Sequence, residues 1–248
     1  MKDVKETLLE RRSVRRYERR AIEKEKLDFM YEAIRNTPTS YNGQAFSVVA
    51  VTDQMTKEDL AGITGQKQIK TCAVFLVFCI DYHKLAIANA AKGAEIPELG
   101  RPLNGYTVGV IDASLAMMNA LTAAEALGLG TCCIGYIRTA DPAKVSVMLN
   151  LPQGVAIVCG LAIGYPNEMP DIKPKLPLEA VVHENTYNPD SMLLPLLRDY
   201  DREVGEFNRS RSGDRTDNDW AVHIADYHRH SEEHGIEKYM EEQIGFGK

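Results

Sequence analysis

The sequence predicts an α+β fold built on one central sheet, and three observations carry that prediction. Phe46 to Val51, Cys72 to Ile80, Cys132 to Ile134 and Val155 to Ile163 are short apolar stretches of the kind that form strands. Stretches with a helical apolar period alternate with them, which gives a sheet covered by helices. A long run from Val108 to Leu127 is apolar or small on nearly every side, which marks a buried helix.

Taken in order, residues 3–10 read as a short helix with Val4, Leu8 and Leu9 on one face. Residues 24–35 repeat the helical period through Leu27, Met30, Tyr31 and Ile34. Between Asn36 and Gln44, eight of nine residues are polar, Gly or Pro. Such a cluster is a loop, and this one is long for a plain connection and rich in the hydroxyls and amides that suit a polar ligand. The strand at Phe46 to Val51 leads to a short helix at Lys57 to Ile63 and a polar turn at Gly65 to Gln68. Cys72 to Ile80 is almost wholly apolar, which predicts a strand buried on both faces. Residues 83–91 read as a helix and 92–105, with three glycines and two prolines, as a loop.

The helix over 108–127 belongs either at the domain centre or at a subunit interface. Gly128-Leu129-Gly130 supplies its left-handed stop. Gly135, just past the third strand, lets a backbone come close to whatever lies there. Asp141 caps a helix over Pro142 to Leu149, and the fourth strand closes at Gly164-Tyr165-Pro166. Prolines hold Lys173-Pro174-Lys175-Leu176-Pro177 extended, which puts Lys173 and Lys175 on one face. Beyond Asn188 the chain turns polar. Residues 190–206 predict one helix, 208–219 an exposed loop too polar to pack, and Trp220 to His230 and Ser231 to Gln243 two terminal helices. No repeat or Pro/Ser-rich linker divides the chain. A single domain over 1–248 is expected, with mobile loops at about 92–105 and 205–219 and a C-terminal helical extension over 190–248.

With 248 residues, 44% of them hydrophobic, the chain can bury a sizeable core. Its net charge of −6 argues against nucleic acid as a main partner, which needs a basic face. No run of about 18 apolar residues is visible, so no membrane span is expected. Met1-Lys2-Asp3-Val4-Lys5-Glu6 has no apolar stretch behind it, so no secretory leader is expected and the cytoplasm is the expected compartment. The five cysteines, at 72, 79, 132, 133 and 159, are odd in number, lie in apolar segments and lack zinc-type spacing. They read as buried reduced thiols. Cys132-Cys133 is the one candidate redox pair, but alternation along a strand turns the two side chains to opposite faces.

Arg11-Arg12-Ser13-Val14-Arg15-Arg16-Tyr17 gathers four guanidinium groups and two hydroxyls into seven residues of an acidic chain. Arg offers a planar fork of donors that matches phosphate and carboxylate oxygens. The stretch reads either as the grip on an anion or as a solvated basic patch at a helix end. Lys173/Lys175 and Arg209/Arg211/Arg215 are further cationic clusters. Gly-x-Ser-x-Gly, His-Glu-x-x-His, a phosphate loop and Gly-x-Gly-x-x-Gly after a strand are all absent, so no catalytic side chain is assigned. His230 and His234 stand at i, i+4, a spacing shared by helical metal pairs and by solvated helix faces; no metal site is assigned. Anion-binding clusters and polar loop edges suit a phosphorylated cofactor that carries the reactivity while the protein positions and tunes it.

Six motifs then follow one another over nearly the whole chain: Arg12-Ser13-Val14-Arg15, the Pro38-to-Gln44 loop, Gly65-Gln66-Lys67, Gly128-Leu129-Gly130 running to Ile134-Gly135, Leu161-Ala162-Ile163-Gly164-Tyr165-Pro166, and Lys173-Pro174-Lys175-Leu176-Pro177. With a tail of Ser210-Arg211, Trp220 and His223-Ile224, the pattern resembles the nitroreductase superfamily. It is most similar there to the oxygen-insensitive, NADPH-preferring nitroreductases and flavin reductases. The resemblance implies an α+β homodimer, a mostly antiparallel central sheet flanked by helices, and FMN at the subunit interface. It implies that Arg11, Arg12 and Arg15 with Lys173 and Lys175 hold the FMN phosphate and ribityl end. Ser13, Ser40, Gln44 and Gln66 are then expected to bond ribityl or ring edges. Ile134, Gly135 and Tyr136 are expected against the isoalloxazine, and the helix over 108–127 in the dimer core. Tyr136 stands where close relatives often have Gly, which is expected to narrow the pocket, and Arg11 stands where some have His. Arg211 matches an arginine that grips NADPH phosphates in relatives; Arg215 does not align cleanly with a second one.

The activity implied is an FMN-dependent NAD(P)H oxidoreductase working by ping-pong hydride transfer to nitroaromatics, quinones or free flavin. Two rivals share the scaffold: an FMN-binding sensor or storage protein with little turnover, and a flavin-fragmenting or dehalogenating enzyme. Nucleic-acid binding through the arginine stretch would show itself as strongly salt-dependent affinity.

Overall fold

The computed structural model describes residues 2–94, 99–213, 218–230 and 235–247. Four strands, β1 (Phe46–Val51), β2 (Val74–Asp81), β3 (Gly130–Ile134) and β4 (Val155–Gly164), form one sheet in the order β1-β2-β4-β3. Neighbouring strands are antiparallel throughout, with Val48 opposite Phe78, Leu76 opposite Leu161 and Cys132 opposite Ala162. All eight residues of β2 and all ten of β4 are buried, as their apolar runs require, with Asp81 at the end of β2 accepting from the Ser47 hydroxyl.

The helices are α1 (Val4–Leu9), α2 (Lys24–Arg35), α3 (Gln54–Thr64), α4 (Lys67–Thr71), α5 (His83–Ala90), α6 (Leu103–Ala126), α7 (Pro142–Met148), α8 (Asp190–Ser212), α9 (Trp220–His230) and α10 (Ile236–Ile244). The chain groups into two compact units, Met1–Pro170 with Glu233–Lys248, and Asp171–Glu232. The first carries the sheet, α1 to α7 and α10. The second carries α8, α9 and a 3-10 turn, Leu178–Ala180.

Alternate residues of β2 serve two apolar layers. Leu76, Phe78 and Ile80 join Met30 of α2, Ala116 of α6 and Met240 of α10. Phe75, Val77 and Cys79 join Leu60 of α3, Ile69 of α4 and Val145 of α7. Each large apolar side chain so buried contributes about 1.5–3 kcal/mol. Ala113, Ala116, Ala120 and Ala124 are buried at three- and four-residue spacing, so the helix carries a face of small side chains into the core. The other side of α6 leaves Ile111, Leu115 and Met118 exposed. Where β3 stops pairing at Gly160, side chains take over the backbone of β4. The Tyr239 hydroxyl accepts from the Ile157 N–H at 3.0 Å and meets Ser146 Oγ at 2.8 Å, and Arg138 Nη1 donates to the Val158 carbonyl.

Several expectations change. Helix α6 begins at Leu103, inside the expected 92–105 loop, because Pro102 opens it in the extended conformation that proline favours before a helix. Residues 95–98 of that loop lie outside the described residues. By length and composition α6 could also cross a membrane, although no such run was expected; 44% of its apolar stretch is buried within the chain. The turn at Gly65–Gln68 gives way to α4: Gly65, in the left-handed conformation, ends α3, and Gln66 opens the next helix at once. Residues 208–212, expected in an exposed loop, continue α8 until Gly213 turns left-handed. Polarity there signals exposure, while Arg209 and Arg211 suit the negative end of the helix dipole. The rest of that loop at 214–217, with Arg215, and the His230/His234 side-chain pair lie outside the described residues. All five cysteines are free, but Cys133 is exposed, since alternation on the edge strand β3 turns it away from the core that holds Cys132.

Candidate flavin site

The arginine stretch runs along the free edge of β3. Ser13 pairs with Thr131 in a parallel bridge, and the Val14 N–H donates to the Thr131 carbonyl at 2.8 Å. Gly130 makes this approach possible, because a Cβ there would stand 2.9 Å from the Val14 side chain. Tyr17 anchors the far end: it bridges Pro166, and its hydroxyl donates to the carbonyls of Val14 (2.7 Å) and Ala162 (3.1 Å). Val14 and Tyr17 are buried, and Arg15 and Arg16 point outward.

A carboxylate distant in sequence fixes the stretch. Glu168 Oε1 accepts the backbone N–H of Arg15 at 2.6 Å and of Arg16 at 3.1 Å, and Oε2 stands 3.7 Å from Arg16 Nε. Arg12 spends its guanidinium on main chain, donating to the carbonyls of Glu10 and Pro170 at 3.1 Å each. Arg11 Nε is buried and meets no acceptor. A buried guanidinium donor left open calls for an anionic or polar oxygen.

The surroundings of Cys132 and Glu125 show what stands near these arginines. Burial raises the Cys132 thiol, opposed by the Arg15 charge, a bond with Gln68 and the Arg11 charge. Burial likewise raises the Glu125 carboxyl, opposed by the Thr131 hydroxyl, which donates at 2.6 Å, and by Arg11. The first unit thus brings Arg11, Arg15 and Gln68 to the edge of β3. Gln68 in turn donates to Gln66 Oε1 at 2.7 Å, linking it to the one site amide expected here. Gln68 was not singled out in the sequence.

Ser40 and Gln44 lie on a loop of unusual backbone. Tyr41, Asn42 and Gln44 all have positive φ, at 44°, 54° and 48°. Each such residue costs on the order of 1–3 kcal/mol, and such residues cluster at ligand sites. Asp112 of α6, fully buried, holds both ends: Oδ1 accepts from Ser40 N–H and Oδ2 from Ala45 N–H, each at 3.1 Å. The Gln44 side chain is exposed. At the end of β3, Ile134 is buried, Tyr136 is 46% exposed, and the space beside Gly135 holds only Arg138 Nη2, at 3.9 Å.

Lys173, Lys175 and Arg211 belong to the second unit. There Lys173 and Arg211 line one cavity of about 400 Å³ with Tyr200, Phe207, Trp220 and His223, while Lys175 does not line it. The Tyr200 hydroxyl donates to the Pro174 carbonyl at 3.3 Å, and the Tyr200 ring meets Trp220 edge-on at 5.8 Å. Arg211 lies over Phe207 at 5.8 Å.

The open donor on Arg11, the unobstructed backbone at Gly135 and the polar loop edge fit a phosphorylated flavin such as FMN. Residues 8–165 match the nitroreductase family, and residues 173–248 match the nitroreductase family, C-terminal domain. The chain belongs to the nitroreductase family. It is 34% identical over 244 residues to the FMN reductase (NAD(P)H) of Bacillus subtilis, a match covering 98% of both chains. With the oxygen-insensitive NADPH nitroreductase of Salmonella typhimurium it shares 36% identity over 221 residues, 88% of each. Among solved structures, the nitroreductase NfrA1 of B. subtilis superposes with a TM-score of 0.94 over 99% of each chain at 32% identity.

Proposed function

We propose that this protein is an FMN-dependent NAD(P)H oxidoreductase of the nitroreductase and flavin-reductase type, serving small acceptors such as nitroaromatics, quinones or free flavin. The observation that carries the reading is the buried, unpartnered Arg11 Nε on the edge of β3. The names of the relatives support the same reading.

FMN, when held here, would supply the hydride-transfer chemistry between NAD(P)H and an acceptor. The protein's own part is binding and positioning. Arg11, Arg12, Arg15, Lys173 and Lys175 are assigned to the phosphate and ribityl end, where charge-assisted bonds are strong. Ser13, Ser40, Gln44 and Gln66 are assigned to ribityl and ring edges. Ile134, Gly135 and Tyr136 are assigned to the ring face, with Tyr136 narrowing the space over it. Arg211 is assigned to the phosphates of NADPH. No side chain is assigned as acid or base; solvent supplies protons, and fixed positive charge favours the reduced state.

The exposed Ile111, Leu115 and Met118, at four- and three-residue spacing on α6, support a homodimer built on that helix. We take 1–248 as one working domain with its C-terminal extension over 190–248, acting in the cytoplasm without membrane or nucleic acid. The test is spectroscopic. The purified protein is expected to be yellow, to bleach rapidly with NADPH under anaerobic conditions and to recolour with a quinone. Slow bleaching by every nicotinamide, with no acceptor turnover, would mark a flavin-binding sensor instead.

A further inference from the structure

A second cationic site opens where the chain leaves the arginine stretch. A cleft of about 580 Å³, within the size range of small-molecule pockets, is lined by residues 17–21, the start of α3 and the end of α4. Lys57 of α3 lines it and is only 4% exposed. Its Nζ donates at 2.7 Å to the Cys72 carbonyl and has no ion pair among the described residues. An ammonium carries three donors, and a charge this deeply buried is ordinarily paired. Glu58 lines the same cleft, but its Oε1 accepts from Gln54 at 2.9 Å.

Three more cations line the cleft, Arg19, Arg20 and Lys70, against two carboxylates, Glu18 and Glu58. Arg20 is engaged, bound to Glu23 at 2.6 Å and lying over the Tyr165 ring at 3.8 Å. Arg19 and Lys70 make no ion pair among the described residues. Glu23, bound to Arg20, and Asp53, whose carboxyl is lowered by its bonds from Thr56 and in part by the Lys57 charge, offset part of this cluster. Arg19, Lys70 and the buried ammonium with donors to spare still suit an anion with several oxygens and about two charges.

We propose that this cleft binds a phosphorylated small molecule, with phosphate oxygens on Lys57, Arg19 and Lys70. None of these residues is assigned to FMN or NADPH, so the inference stands apart from the flavin reading.

Pyrophosphate tests it, titrated calorimetrically into the flavin-loaded protein at constant ionic strength, with malonate as the dicarboxylate control. Saturable pyrophosphate binding is expected, with malonate at least about tenfold weaker. The double variant Arg19→Ser/Lys70→Ser is expected to bind pyrophosphate about a hundredfold more weakly, tenfold for each charge-assisted contact, with NADPH turnover unchanged. Arg211→Ala is expected to keep the parent affinity. Lys57→Met should abolish binding, but the exposed pair carries the decision because a buried substitution can unfold the chain. The inference fails if pyrophosphate does not saturate, if the double variant binds it like the parent, or if Arg211→Ala alone removes it. Equal affinity for malonate overturns the assignment to phosphate.

Discussion

Glu168 holds the backbone of Arg15: its Oε1 takes the Arg15 N–H at 2.6 Å, across 153 residues of sequence, and the neighbouring N–H of Arg16 at 3.1 Å. The carboxylate therefore acts on the main chain of the arginine stretch and leaves the Arg15 guanidinium free to reach elsewhere, bound only at 3.4 Å to the Ser13 carbonyl.

Glu168→Ala removes the oxygen that accepts both bonds. A loss of about 1–3 kcal/mol in stability is expected, with weaker FMN retention. Glu168→Gln keeps one carbonyl acceptor and should recover most of both. Urea unfolding and flavin release measure the two effects, and equal losses in the two variants would mean that charge matters more than the backbone bonds.

Arg11→Met gives effects of opposite sign on two states. The flavin-free protein loses a buried donor that had no partner, so its stability should hold or rise. FMN affinity should fall about ten- to a hundredfold with the lost charge-assisted contact. Fluorescence titration of the flavin-free protein decides it; unchanged affinity would remove Arg11 from the site.

Asp112→Asn turns one of two accepting oxygens into a donor facing an N–H of the 40–45 loop. About 1–3 kcal/mol of destabilisation is expected, together with faster flavin loss. Hydrogen exchange at Ser40 and Ala45 should rise while the sheet amides stay protected. If the sheet amides exchange as fast as the loop, Asp112 is a general core residue and not the clamp of that loop.

Glu23 offers a test by pH. Its carboxyl is held down at about 2, first by the Tyr165 hydroxyl, then by its own backbone N–H and by Arg20. The folded value lies below the ordinary 4.5, so this contribution is complete above that pH and is lost as pH falls towards 2. The group is exposed, so the effect on stability is small. Carboxylate NMR should show Glu23 titrating nearer 4.5 in Tyr165→Phe. A titration still near 2 would make Arg20 the main holder.

The fold could be read from local pattern wherever one segment decides its own state. Helix α2 and strand β1 begin and end where periodicity and β-branching place them, and α9 does too. Strand β4 overruns its expected end by Gly164 alone. Pattern failed where polarity stood in for conformation, as at 208–212, and where one glycine separates two helices, as at Gly65. For the candidate site, the concentration of arginines was visible, but Glu168, Gln68 and Asp112 were not, because their partners are chosen by the tertiary fold. Asp112 did leave a trace: it is the only charge between Val108 and Ala124, and a lone carboxylate in an otherwise apolar helix must find donors.

Residues 11–17 combine two duties, since the segment that carries the arginines also closes the flank of the sheet beside β3. A chain shortened past Tyr17 would lose these arginines and at the same moment leave the backbone of Thr131, on the edge strand, open to strands from other molecules. Trimming the front of the polypeptide is therefore a route to aggregates rather than to a tidy, cofactor-free protein.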